Sequence, residues 1–98
     1  MPATLAMILL AAAVAAGPGA RRVAPVRTPR EARTIAEGET GGLAVSARRV
    51  PLNGATGGWE VDLHMAGEAR GWRCVIDSDT RAVHTRTRIP NPRPPKRR

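Results

Sequence analysis

The sequence predicts an α+β domain: a short N-terminal helix packed on a four-stranded antiparallel meander, preceded by a signal-peptide helix and followed by a disordered tail. Three observations predict it. Residues 28–42 hold helix start and stop signals around a small apolar face. Residues 59–65 alternate apolar and polar side chains without exception. Polar turn sequences at 66–69 and 77–82 divide the following stretch into pieces of strand length.

The helix comes first. Thr28 is placed to cap, Pro29 suits the first helical position, and Glu31 completes a capping box. Ala32, Ile35 and Ala36 fall at i, i+3 and i+4 and form its apolar face, while Arg33 and Glu37 are spaced to pair on the exposed side. Gly41 and Gly42 end it, because glycine enters the left-handed cap conformation without penalty. Three turns of helix do not stand alone in water, so this one must pack on something.

A first strand is expected at Leu43, Val45 and Ala47, alternating with Ala44, Ser46 and Arg48. Pro51 marks an edge or a bulge if the strand continues through Leu52. Residues 53–58 are a glycine-rich loop. The second strand, Trp59 to Met65, points Trp59, Val61 and Leu63 inward. The third points Trp72, Cys74 and Ile76 inward and Arg73, Val75 and Asp77 outward. Closing the hairpin over residues 66–69 sets Trp59 opposite Ile76, Val61 opposite Cys74, and Leu63 opposite Trp72. Apolar meets apolar at each pair, as a correct register requires. The same reasoning carried across 77–82 sets Val83 opposite Ile76 and Thr85 opposite Cys74, so that Val83, Thr85, Thr87 and Ile89 face the core. A unit of about 60 residues has a marginal core. Both tryptophans are expected to carry much of it, at ~2–3 kcal/mol each.

Charge separates this unit from its flanks. Glu31 to Ile89 holds eight arginines and all eight acids, so it is neutral, and the formal charge of +8 belongs to the arms. Residues 1–20 carry no charged side chain, and Leu5 to Ala16 is an unbroken apolar run followed by Gly17-Pro18-Gly19-Ala20. That is the shape of a secretory signal peptide, and it is short for a membrane span. Its leading residues lack Lys or Arg. The expected organisation is a signal peptide at 1–20, a basic linker at 21–27, the folded domain at 28–89, and a disordered Pro/Arg-rich tail at 90–98. The expected location is periplasmic or secreted.

Several segments together resemble a PepSY domain. These are Thr28-Pro29-Arg30-Glu31-Ala32 opening a helix, Gly41-Gly42 before a strand, Gly58-Trp59-Glu60-Val61-Asp62-Leu63, and Val75-Ile76-Asp77-Ser78-Asp79-Thr80-Arg81-Ala82-Val83. The family pattern has a [YW]-E-V strand and a V-D-x-x-T-G-x-V turn. Here the turn glycine is replaced by Arg81, so the turn is either of another type or mildly strained. The resemblance spans residues 27–89. It implies a binding or inhibitory module of the cell envelope with no catalytic residues of its own. Any protease partner would act in trans.

Other chemistry-bearing residues have simpler readings. Asp77, Asp79 and Thr80 are too few for a calcium loop and suit a turn whose carboxylates cap amides. His64 and His84 alternate with core positions and face outward, and zinc would need more convergent ligands. Cys74 lies among core residues with no basic partner, which favours a buried thiol over a nucleophile. No catalytic residue, metal or cofactor is therefore expected. The binding candidates are Arg86 and Arg88, forming an outward basic stripe with His84 that Glu60 and Asp62 partly neutralise, and Arg93, Lys96, Arg97 and Arg98 in the tail. The expected partner is an envelope protein, a peptidase among the candidates, with an anionic membrane surface for the tail and weak self-association as further options. The alternative is a small basic protein binding nucleic acid through its arms. The apolar leader and the lack of aromatics among the basic residues argue against it.

Overall fold

The computed structural model describes residues 24–96, and the segment expected to be a signal peptide, residues 21–23, Arg97 and Arg98 lie outside the described residues. One helix, α1 (Pro29–Thr40), is followed by four strands, β1 (Leu43–Val50), β2 (Gly58–His64), β3 (Arg70–Asp77) and β4 (Val83–Pro90). The strands form one sheet in the order β1-β2-β3-β4, each antiparallel to the next, and α1 covers one face. The α+β architecture is the one the sequence predicts.

Local chemistry fixes both helix ends. The Thr28 hydroxyl accepts from the Glu31 N–H at 3.1 Å, and the Glu31 carboxylate accepts from the Thr28 N–H at 3.3 Å and the Arg27 N–H at 2.8 Å. The Arg27 amide bond, with the Thr28 amide behind it, holds the Glu31 carboxyl below its ordinary pKa. Gly41 stops the helix at φ +80°, its N–H donating to the Glu37 carbonyl at 2.8 Å. The expected Arg33–Glu37 pair gives way to another contact. Because β1 starts so soon after α1, the Glu37 carboxylate reaches the Ala44 N–H at 2.8 Å and ties helix to sheet.

The core lies between α1 and the inner side of β2 and β3. Trp59 pairs with Ile76, Val61 with Cys74, and Leu63 with Trp72, the expected register. Val61, Leu63, Cys74 and Ile76 are fully buried beneath Ala32 and Ala36, whose small side chains let the helix sit close to the sheet. Full burial of each larger apolar side chain stabilises by roughly 1.5–3 kcal/mol. Gly71 permits a second close approach, since a Cβ there would run into the Leu63 carbonyl and the Asn91 side chain.

The edge strands depart from simple alternation, and three expectations are corrected. In β1 the register shifts between Ala44 and Ser46. Ala44 is therefore buried opposite Leu63, while Leu43 faces away and is 47% exposed. In β4 the register shifts where Val75 and Ile76 meet Thr85 and Val83. Val83 opposes Ile76 as expected, but Arg86, not Thr85, opposes Cys74, and Arg88 opposes Trp72. A bulge of one residue turns the rest of a strand over. Thr85, Thr87 and Ile89 thus lie on the open face. Finally, Trp72 is only partly buried, whereas Trp59 is 4% exposed.

The segment before the helix also belongs to the fold. Val26, inside the stretch expected to be a basic linker, is 1% exposed within the core. Its N–H donates to the Ser78 carbonyl at 2.8 Å, and its carbonyl accepts from the buried Trp59 indole N–H at 3.0 Å.

Candidate functional site

The bulge in β4 determines where the two predicted partner-binding arginines go. They leave the open face and join the helix side of the sheet, at the rim of the core. The Arg86 and Arg88 guanidinium groups lie over the Trp72 ring, 5.1 and 4.4 Å from its centroid. At this separation a cation is attracted to the ring face by about 0.5–1 kcal/mol at an exposed site. Arg86 also pairs with Glu39 near the end of α1 at 3.1 Å, and Arg88 with Glu68 in the β2–β3 turn at 3.2 Å. The expected neutralisation of these arginines by Glu60 and Asp62 is therefore corrected. Those acids lie on the opposite face, where Glu60 takes Arg48 at 2.6 Å and Asp62 takes Arg73 at 2.8 Å. The Asp62 hydrogen bond pushes the Arg73 pKa above its ordinary value.

The backbone of β4 completes the site. Asn91 N–H donates to the Ala69 carbonyl at 3.2 Å, which sets the phase of the ladder. Antiparallel pairs alternate between bonded and non-bonded. Ile89, Thr87 and Thr85, opposite Gly71, Arg73 and Val75, therefore bond to β3, and the backbone N–H and C=O groups of Arg86 and Arg88 point away from the sheet. Among the described residues β4 is the last strand in the order and presents these groups at an open edge.

The C-terminal segment is attached more firmly than expected. A free tail from residue 90 is corrected by three contacts. Pro90 ends β4 opposite Arg70, where the ladder asks for no N–H from it. The Asn91 side chain donates to the carbonyls of Met65 and Glu68, both at 2.7 Å, and accepts from the Met65 N–H at 2.9 Å. The Pro92 carbonyl lies 2.8 Å from His64 Nδ1. Asn91 thereby clamps the β2–β3 turn. Arg93 and Lys96 follow it as exposed residues.

The remaining candidates take structural positions. The Asp77 carboxylate accepts from the Asp79 and Thr80 amides at 2.8 and 3.1 Å, and Asp79 accepts from the Thr56 amide at 2.9 Å. Arg81 adopts φ +70°, the conformation a glycine takes freely, and its guanidinium donates to the Ala24 carbonyl at 3.1 Å. Cys74 is fully buried, and that burial, with the Glu39 charge behind it, pushes its thiol up to about 11. Among the described residues no group of His, Cys, Asp and Glu gathers as a metal site, and no helix is long and apolar enough to cross a membrane.

Sequence reasoning found Arg86 and Arg88 but missed what holds them: Trp72 as a platform, Glu39 and Glu68 as counter-charges, and Asn91 as a clamp. The available signal was the Thr-Arg-Thr-Arg run of residues 85–88, whose alternation says nothing about which set faces in. Compared with known family models, curated proteins and solved structures, the chain matches none.

Proposed function

We propose that the chain is an exported, non-catalytic binding module of the PepSY type, acting in trans on a protein partner of the cell envelope, with a peptidase as the first class to test. The observation that carries this reading is the turn between β3 and β4. The PepSY-like pattern has a glycine where Arg81 stands, and Arg81 holds the positive φ that such a glycine would supply. The Asp77 carboxylate bonds the amides two and three residues on, giving the aspartate of that pattern a structural role. The order of one helix and four antiparallel strands agrees with it. Export rests on the apolar run from Leu5 to Ala16.

Cell fractionation with N-terminal sequencing tests the first half of the proposal. A mature chain starting beyond Ala16 in the exported fraction is expected. An intact Met1 in the soluble cytoplasmic fraction overturns it and revives nucleic-acid binding through the arms. Capture of partners from the exported fraction, followed by peptidase assays, tests the second half. Slowing of a captured peptidase is the expected result, and capture with no effect on any peptidase reduces the reading to binding alone.

A further inference from the structure

The edge of β4 that no other described strand pairs with carries backbone groups and charge in one register. The outward N–H and C=O groups belong to Arg86 and Arg88, so these are the residues an added strand would bond to. Their side chains both lie on the helix side of the sheet, held over Trp72. A residue paired with each of them on a fifth strand would send its side chain to that same side, beside a guanidinium. Cross-strand neighbours of opposite charge attract, and like charges repel.

We propose that β4 accepts an extended peptide segment as a fifth strand, and that the segment carries acidic residues at alternate positions, one beside Arg86 and one beside Arg88. The intervening residue lies next to Thr87 on the open face, where a β-branched side chain fits. The proposal rests on the binding-module reading and specifies its ligand. Carboxylates already sit against both arginines, since Glu39 and Glu68 reach them from within the chain. All four of these side chains are partly exposed, and such surface pairs contribute only ~0–1 kcal/mol, so incoming carboxylates can share or replace them. No acid lies on β4, and the exposed Arg93 and Lys96 follow it. Two copies of β4 would set arginines against arginines, which disfavours self-pairing.

The opposite edge lacks this arrangement. Arg48 of β1 faces the open side and is engaged by Glu60, while Arg49 lies over Trp59 at 5.0 Å on the helix side. One arginine per face gives no alternate pair. Pro51 also follows directly on β1.

The test uses the full chain and three synthetic peptides, with amide hydrogen exchange read by NMR. The peptides are Thr-Val-Glu-Thr-Glu-Val-Thr, its block isomer Thr-Val-Glu-Glu-Thr-Val-Thr, and the lysine analogue of the first. The alternating acidic peptide is expected to slow exchange of the Arg86 and Arg88 amides at least tenfold. It should bind at least tenfold more tightly than the other two. Unchanged exchange at both amides, equal binding of the block isomer, or equal binding of a single-stranded oligonucleotide each overturns the proposal. The double variant Arg86→Glu, Arg88→Glu, checked for folding by circular dichroism, should reverse the preference toward the lysine peptide. A captured envelope partner that still binds this variant as tightly overturns β4 as the site and leaves the binding-module reading standing. Absence of any exported partner overturns that reading, while the peptide preference stands or falls by itself.

Discussion

The central hairpin and the β4 edge are built from the same chain with the same period, yet only the hairpin follows its alternation. In β2 and β3 the inward set is Trp59, Val61, Leu63, Trp72, Cys74 and Ile76, and the outward set is charged or polar apart from Val75 and two glycines. Shifting that register by one would bury Glu60, Asp62 and Arg73. In β4 the two sets are threonines and arginines. A bulge costs little there, because an arginine stem over an indole covers apolar surface as well as a threonine does. A register is fixed by the penalty for the wrong one, and at the edge that penalty is small.

The largest expected contrast lies between the tryptophans. Trp59 is buried, bonded to Val26 and central to the packing under α1. Trp59→Ala should cost about 3–5 kcal/mol and remove cooperative unfolding. Trp72 sits at the rim, so Trp72→Ala should cost about 1–2 kcal/mol and leave a cooperative, lower transition. Thermal melts of both variants check this, and equal losses would erase the distinction between centre and edge.

Next is the alkaline response of Cys74, which lies on the central strand opposite Val61. Burial pushes the folded thiol up to about 11, above the ordinary thiol range, so the folded state holds the proton more tightly. The resulting stability is fully present below pH 9 and is lost as pH rises through about 11, a fall of about 2 kcal/mol. The chain has no tyrosine and a single lysine, so few other groups titrate in this window. Denaturant unfolding from pH 8 to 11 should show the decline in the native chain and a much flatter profile in Cys74→Ala.

Asn91 tests the attachment of the edge. Its side chain makes three hydrogen bonds to the β2–β3 turn, so Asn91→Ala should cost about 1–2 kcal/mol. A disposable tail would show no change. The smallest effect is expected at Arg81, in the turn joining centre to edge. Relief of the left-handed conformation favours glycine by ~1 kcal/mol, and the lost bond to Ala24 offsets part of it. Arg81→Gly should raise the melting temperature slightly.

Legibility followed the strength of local penalties. Thr28, Glu31 and Gly41 were readable because unsatisfied helix ends demand particular residues. The hairpin register was readable because charge and apolar surface segregate within it. The β1 bulge was not, since Leu43 outside and Ala44 inside inverts the usual size preference. There the close packing of α1 and the Glu37 bond to the Ala44 amide decide. Val26 was hidden among arginines and prolines, and only the tertiary bond to Trp59 explains its burial. Of the site, the two arginines were legible and their face was not.

Amide exchange along β4 in the free protein tests the central claim most directly. The bulge predicts slow exchange at Thr85, Thr87 and Ile89, which bond to β3, and fast exchange at Arg86 and Arg88, whose N–H groups point outward. A ladder without the bulge would continue the Val83–Ile76 pairing and shift the pattern by one residue. Slow exchange at His84, Arg86 and Arg88, with fast exchange at Thr85 and Thr87, would contradict the account.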